Sequence, residues 1–149
     1  MGPSPIRVLH IDDDRIQRAW IVHYLGLLKE RQYVVIGVES EDRAVDTFRR
    51  GGVDLVILDY QLAQGDGLSC LRQLRQLDSM VPVIALSGIA TPEIAAELIE
   101  AGADDYLSKQ SMNLQILSQS METVLTRARR IRAKVENTAA LNGNEFQNN

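Results

Sequence analysis

Five short, mostly apolar runs alternate with helix-forming stretches, and this alternation limits the fold more than any other feature of the chain. The runs are 6–11, 33–38, 53–58, 81–86 and 103–107, and the predicted helices are 14–29, 41–50, 66–77, 92–101 and 112–135. Short runs without strict polar alternation are typical of strands covered on both faces. Short connections with right-handed crossovers then predict an α/β fold, a doubly wound, five-stranded parallel sheet between two helical layers, with an extended last helix.

Residues at the ends of these segments support the same limits. Ser40 and Thr91-Pro92 are suited to begin the second and fourth helices, as an N-cap and as an N-cap followed by proline. Gly51-Gly52 and Gly102 are suited to end the helices before them, where a left-handed residue is needed.

The composition is that of one soluble domain. The chain has 149 residues, of which 45% are hydrophobic and 24% charged. Its N-terminus has no apolar run of a signal peptide, and no stretch approaches the roughly 18 apolar residues of a membrane span. The single cysteine, Cys70, excludes an internal disulfide framework and fits a reducing compartment. We therefore expect a cytoplasmic protein without membrane contact.

The net charge of −4 is unevenly distributed. Residues 1–126 carry 11 Lys/Arg against 18 Asp/Glu, whereas residues 127–149 carry five against two. Nucleic-acid binding needs a basic face that displaces counterions, so the acidic body argues against direct contact with nucleic acid.

Chemically useful side chains follow four of the predicted strands. Asp12-Asp13-Asp14 follows the first strand and Asp59 the third, while Ser87-Gly88 and Lys109 follow the fourth and fifth. In doubly wound sheets the functional site lies beyond the carboxyl ends of the strands, where the strand order reverses. Clustered carboxylates repel one another unless a cation neutralises them, and oxygen ligands without cysteine favour a hard cation such as Mg²⁺. Lysine and a hydroxyl could stabilise a transferring phosphoryl group.

Each of these residues has an ordinary structural explanation when taken alone. An acid at a helix start, such as Asp14, usually caps the helix, and an aspartate after a strand is a common turn residue. The combination at four separate strand ends is what favours a functional site.

In combination the motifs resemble the receiver domains of two-component response regulators over residues 6–126. The matching segments are Asp12-Asp13, Leu58-Asp59-Tyr60, Ala85-Leu86-Ser87-Gly88 and Tyr106-Leu107-Ser108-Lys109. The resemblance implies a (βα)₅, flavodoxin-like fold. It also implies a signalling protein that takes a phosphoryl group from a histidine kinase onto an aspartate and catalyses only its own phosphorylation and dephosphorylation.

The resemblance assigns a role to each matching residue. It makes Asp59 the phosphoacceptor. It makes Asp13 a direct ligand of Mg²⁺, or of another divalent cation such as Mn²⁺, and Asp12 a ligand mainly through water. The backbone carbonyl of Gln61 completes the ligands, together with Asp59 itself.

Three further assignments concern the phosphorylated state. Ser87 would hydrogen-bond a phosphoryl oxygen and Lys109 would form an ion pair with another. Tyr106 matches an aromatic residue that moves inward with Ser87. Such a switch would present helix 4, strand 5 and helix 5 to an output domain or partner protein, after transfer from a histidine kinase or phosphotransfer protein.

The sequence departs from the family pattern after Lys109, where Gln110 replaces a proline that usually follows a cis bond. A cis bond before glutamine costs about 2.5–4 kcal/mol, so we expect a trans bond and a somewhat displaced Lys109. Ile89 occupies a position that governs water access to the aspartyl phosphate. Because its side chain is bulky and apolar, we expect a long-lived phosphorylated state.

Two other function classes stay open. The chain could be an unphosphorylated pseudo-receiver that acts as an interaction or dimerisation scaffold, although a scaffold has no need of mutually repelling acids. It could also bind a flavin-like cofactor, although the acidic pocket would repel a flavin phosphate. His10, His23 and Cys70 are expected to be structural, since no second metal ligand lies at a suitable spacing.

The last helix is longer than the sheet requires. An apolar stripe recurs at three- and four-residue steps and continues past residue 125 among arginines, with Leu117, Met121, Val124, Ala128, Ile131 and Val135. We expect a receiver domain over 1–126 and a helical extension or linker over 127–136, either a short homodimer seam or a solvated basic end. The Asn-rich segment 137–149 is expected to be disordered.

Overall fold

The computed structural model describes residues 3–63, 66–89 and 91–147, with side chains up to residue 142. Five parallel strands form one sheet in the order β2-β1-β3-β4-β5. The strands are β1 (Ile6–Ile11), β2 (Tyr33–Val38), β3 (Leu55–Asp59), β4 (Val83–Ser87) and β5 (Asp105–Ser108). The helices are α1 (Arg15–Gly26), α2 (Glu41–Arg49), α3 (Gly67–Leu77), α4 (Pro92–Glu100) and α5 (Leu114–Gln147). The predicted doubly wound fold is confirmed.

Two apolar cores cover the two faces of the sheet. One core joins the sheet to α2, α3 and α4 through buried residues such as Ala44, Leu71 and Leu98. The other joins it to α1 and α5 through residues such as Ile21 and Leu117. Neighbouring residues of β1 alternate between the cores, as a strand buried on both faces requires. The three layers leave the carboxyl ends of the strands as the edge at which the loops carry polar side chains.

The predicted helix caps are present. The side chain of Ser40 accepts a hydrogen bond from the backbone N–H of Arg43 at 3.2 Å, and Thr91 caps α4 in the same manner. Asp14 caps α1 by accepting from the N–H of Ile16 at 2.9 Å. Gly102 follows α4 with a φ of 110°, in the left-handed region that glycine adopts at little cost.

Three strands begin two residues later than the sequence indicates. Residues 53–54, 81–82 and 103–104 lie just before β3, β4 and β5. Two of these six residues bond to neighbouring strands through their side chains. The carboxylate of Asp54 accepts from the N–H of Arg7 at 2.9 Å, and that of Asp104 accepts from the N–H of Val83 at 2.8 Å. Pro82 has no N–H to donate to a ladder. These residues therefore look like strand residues in the sequence, because they are apolar or bond to the sheet, although the strands begin after them.

The last helix differs most from expectation. α5 runs for 34 residues, about 51 Å at 1.5 Å per residue, so the predicted extension over 127–136 is helical. Residues 137–147 continue the helix, whereas the sequence indicated disorder from 137. Ala139, Ala140 and Leu141 are strong helix formers, and the segment has no proline to interrupt a helix already under way. Asn148 and Asn149 lie outside the described residues. The division into domain, linker and tail stays a prediction.

None of the helices in the described part of the chain has the length and apolar character that a bilayer crossing requires.

Candidate functional site

Three aspartates from two neighbouring strands form an acidic cluster where the strand order reverses. Asp12 and Asp13 follow β1, and Asp59 is the last residue of β3. Ile11 pairs with Leu58, so the two strands end at the same level. One carboxylate oxygen from each aspartate lies within 4.8 Å of the others. Asp12 and Asp59 are buried and Asp13 is exposed, which places the opening of the cluster on the Asp13 side.

Lys109 brings a positive charge into this cluster. Its Nζ lies 3.0 Å from Oδ2 of Asp59 and 3.3 Å from Oδ2 of Asp12. The backbone N–H of Lys109 donates to the carbonyl of Ser87 at 2.8 Å, which extends the pairing of β4 and β5 by one residue. The bond to Gln110 is trans, as predicted. The strand pairing therefore places the lysine against both carboxylates without the proline usual in the family.

Burial and charge oppose each other here. Burial, strengthened by the charge of Asp59, holds the pKa of Asp12 above its usual range. Burial alone would lower the pKa of Lys109, but its hydrogen bond to Asp59 and the nearby charges raise that pKa above its ordinary value. The one charge of Lys109 thus offsets only one of the two buried carboxylates, and Asp13 adds a further negative charge. Such a donor set suits a small divalent cation that keeps several waters.

Backbone donors hold each carboxylate in place. Oδ1 of Asp12 accepts from the N–H of Asp14 at 2.9 Å, and Oδ1 of Asp59 accepts from that of Gln61 at 3.2 Å. Oδ2 of Asp13 accepts from the N–H of Ala63 at 3.1 Å, which ties the first loop to the loop after β3. The three side chains therefore have fixed directions before any ligand binds.

Gly67 allows the start of α3 to lie close to the end of β3. The N–H of Gly67 donates to the carbonyl of Tyr60 at 2.8 Å, and this brings the start of α3 against the end of β3. A Cβ at position 67 would lie 2.5 Å from the carbonyl oxygen of Asp59 and 2.6 Å from the Cα of Tyr60. Only glycine fits against the backbone at this point.

Ser87 and Tyr106 are bonded to the loop after β4 rather than to the acidic cluster. The hydroxyl of Ser87 donates to the carbonyl of Ile89 at 2.8 Å and accepts from its N–H at 3.0 Å. The hydroxyl of Tyr106 donates to the same carbonyl at 3.2 Å. One backbone carbonyl therefore connects the two residues that the sequence assigned to a switch.

Two further residues belong to the surroundings of the cluster. Nη1 of Arg18 donates to the backbone carbonyl of Asp12 at 2.7 Å. His10, for which we expected a structural role only, has its Nε2 3.8 Å from Oδ2 of Asp12 and is fully buried. The sequence signal for His10 was a polar residue between two apolar ones in β1. Arg18 gave no signal, since a basic residue on a helix is usually solvated.

Comparison with known proteins decides which family has this arrangement. The family model described as the response regulator receiver domain matches residues 8–121. The chain belongs to this family. The receiver domain thus defined begins within β1 and includes the other four strands in full, with every residue of the acidic cluster.

Relatives of known structure and name agree with the fold. The signal receiver domain of a putative Luxo repressor protein from Vibrio parahaemolyticus is 28% identical, with a TM-score of 0.76 over 89% of this chain and 98% of that one. The chemotaxis protein CheY of Bacillus subtilis is 27% identical over 79% of this chain and 97% of its own length.

Other relatives are much longer. A protein-glutamate methylesterase/protein-glutamine glutaminase of Rhodospirillum centenum is 30% identical over 93% of this chain, but the match spans 38% of its own length. The chain likewise spans 15% of a gliding motility regulatory protein of Myxococcus xanthus and 32% of the transcriptional regulatory protein ZraR of Escherichia coli. These relatives combine a receiver with further sequence.

Proposed function

We propose that the chain is a phosphoacceptor that takes a phosphoryl group from a phosphohistidine onto Asp59. The contact of the Lys109 Nζ with both Asp59 and Asp12, inside a three-carboxylate cluster, is the observation that carries this proposal. A carboxylate oxygen of Asp59 attacks phosphorus, the O–P bond forms and the N–P bond breaks. The electron pair of the N–P bond goes to the imidazole nitrogen, which leaves as neutral imidazole if the other ring nitrogen carries a proton and otherwise takes up a proton from water. In this proposal the chain catalyses only its own phosphorylation and dephosphorylation.

Asp12, Asp13, Asp59 and the carbonyl of Gln61 would hold Mg²⁺ or a similar divalent cation. A bound cation would neutralise charge on the phosphoryl oxygens. The chain's own residues would position these groups. Backbone N–H groups orient the three carboxylates, and Lys109 lies where its Nζ could pair with a phosphoryl oxygen.

The shared carbonyl of Ile89 supports a switch between two bonding patterns. To donate its O–H to a phosphoryl oxygen, Ser87 must give up the hydrogen bond that it donates to the carbonyl of Ile89, one of its two bonds to the loop after β4. Release of that loop changes the partner of Tyr106 as well, because both hydroxyls donate to one carbonyl. The resulting change would appear on the surface of α4, β5 and α5, where an output domain or partner protein would bind.

A histidine kinase or phosphotransfer protein would bind at the opening of the cluster. Ile16, at the start of α1, is 78% exposed, and Ile89, on the opposite loop, is 48% exposed. Apolar side chains on both sides of an acidic opening suit a partner helix that carries a phosphohistidine.

The helical extension is better suited to a connecting role than to a homodimer seam. Ile131 and Val135 continue the apolar stripe and are 44% and 49% exposed. In a parallel two-stranded coiled coil through this stripe, Arg127 of one copy would face Arg132 of the other. Like charges at these flanking positions destabilise the pair.

Phosphorylation with acetyl phosphate and Mg²⁺ tests the proposal. The wild-type chain should gain about 80 Da, the mass of one phosphoryl group, and Asp59→Asn should gain nothing. Asp14→Asn is the matched control, since asparagine also caps a helix and the variant should be modified like wild type. A folded wild-type chain that gains no mass would favour the pseudo-receiver scaffold instead. Mass gain without added divalent cation would contradict the metal site.

A further inference from the structure

A fully buried histidine of β1 lies beside the acidic cluster. His10 is fully buried in β1, beside Gly37 of β2 and Ile57 of β3. Neither of its ring nitrogens has a hydrogen-bond partner among the residues that the structure describes. A buried polar group left unsatisfied destabilises the fold, so an apolar residue would stabilise this strand better. The position therefore calls for a reason beyond packing.

The carboxylate of Asp12, which shares Lys109 with Asp59, lies close to His10. Nε2 of His10 lies 3.8 Å from Oδ2 of Asp12, about 0.9 Å too far for a hydrogen bond of usual length. The imidazole is neutral, since burial and the positive charges of Lys109 and Arg18 lower the pKa of His10 to about 3. A neutral imidazole has one N–H to donate.

The two oxygens of Asp12 differ in their donors. Oδ1 accepts from the backbone N–H of Asp14, which stays in place whatever binds. Oδ2 accepts from Lys109 alone among the described residues. Arg18 is already bonded to the backbone carbonyl of Asp12. If Lys109 leaves Oδ2 for a phosphoryl oxygen, His10, 3.8 Å away, is the remaining basic side chain close to this oxygen among the described residues. The other donor within reach would be a water held by a bound cation.

We propose that His10 is a positioning residue that donates its Nε2–H to Oδ2 of Asp12 when Lys109 turns to the phosphoryl group. The inference rests on the proposed function of Asp59. The hydrogen bond forms only in the phosphorylated state, so it stabilises that state relative to the unphosphorylated state with metal bound. It also keeps Asp12 in one orientation while its cationic partner is elsewhere.

Three variants separate this role from simple packing. His10→Leu removes the donor and keeps a similar volume, and His10→Gln keeps an N–H at a comparable distance from the backbone. His23→Leu changes the other histidine, which is exposed on α1, and serves as control. Mg²⁺ affinity is measured by calorimetry, and affinity for beryllofluoride in saturating Mg²⁺ by the fluorescence of Trp20. Urea unfolding checks that each variant is folded.

We expect His10→Leu to bind Mg²⁺ like wild type and beryllofluoride about tenfold more weakly, the loss expected for one hydrogen bond to a charged group. His10→Gln should recover most of this affinity, and His23→Leu should match wild type. Equal beryllofluoride affinity of His10→Leu and wild type would refute the role. So would equal losses in Leu and Gln variants, or a loss already present with Mg²⁺ alone. If wild type itself fails to bind beryllofluoride, or Asp59→Asn binds it equally well, the proposed function fails instead.

Discussion

Replacement of Gly67 by alanine should destabilise the chain although it lies in a helix, where alanine is normally favoured. The added Cβ would stand 2.5 Å from the carbonyl oxygen of Asp59 and 2.6 Å from the Cα of Tyr60. Both are backbone atoms, so no side-chain rotation relieves the contact, and α3 must move away from β3. Overpacking of this kind typically costs about 1–3 kcal/mol, which outweighs a helix preference of at most about 1 kcal/mol.

Gly26→Ala is the matched control, because it also adds a Cβ to a helical glycine but meets nothing within 4 Å. Urea unfolding should show Gly26→Ala at or slightly above wild-type stability and Gly67→Ala about 1–3 kcal/mol below it. Gly67→Ala should also bind beryllofluoride more weakly, since the displaced backbone carries Asp59. A Gly67→Ala variant as stable as Gly26→Ala would show that the close approach has been misjudged.

Three further predictions follow from the surroundings of single side chains. Cys70 is fully buried, and burial and the charge of Glu41 raise the pKa of its thiol to about 12. Thiol reagents at pH 8 should therefore leave Cys70 unmodified in the native chain and label it in urea, and rapid labelling of the native chain would contradict this. His10 has its pKa lowered to about 3 from an ordinary 6.5, so the unfolded chain takes up a proton between these pH values and the folded chain does not. In EDTA, His10→Leu should therefore lose less stability than wild type from pH 6 to pH 4, by up to about 1.4 kcal/mol per unit, and equal slopes in urea unfolding would count against a buried neutral imidazole. Ile89→Ala should lose its phosphoryl group faster than wild type if the isoleucine hinders an in-line water, which the decay of the phosphorylated mass would measure; an unchanged rate would rule that hindrance out.

The fold could be predicted from the sequence because each βα unit carries its own local signals. Ser40 and Thr91 mark helix starts through their side-chain hydroxyls, and Gly102 follows a helix because it adopts a left-handed backbone; all three do so in the structure. The strand limits were less predictable. Asp54 and Asp104 bond to the sheet through side chains, and such bonds depend on neighbours distant in the sequence.

The acidic cluster could be predicted for a similar reason, since parallel strands bring their carboxyl ends to one edge whatever their order. The hydrogen bonding of the residues around the cluster could not be predicted. His10 lies beside Asp12 because both follow the same face of β1, yet only the structure shows that neither nitrogen is bonded. Likewise the bonding of Ser87 and Tyr106 to one carbonyl depends on the path of a loop. The motif predicted the residues but not their hydrogen bonds.

Because α5 is continuous, the direction in which its far end faces depends on the number of helical residues before it. Each residue of α5 turns whatever lies beyond it by about 100° and advances it by about 1.5 Å. Deletion of one residue between 127 and 136 would therefore redirect the exposed side of the far end by about 100°, while deletion of seven would restore its facing to within about 20°. A partner that binds the far end should therefore be affected more by a deletion that rotates this end than by a longer deletion that preserves its direction.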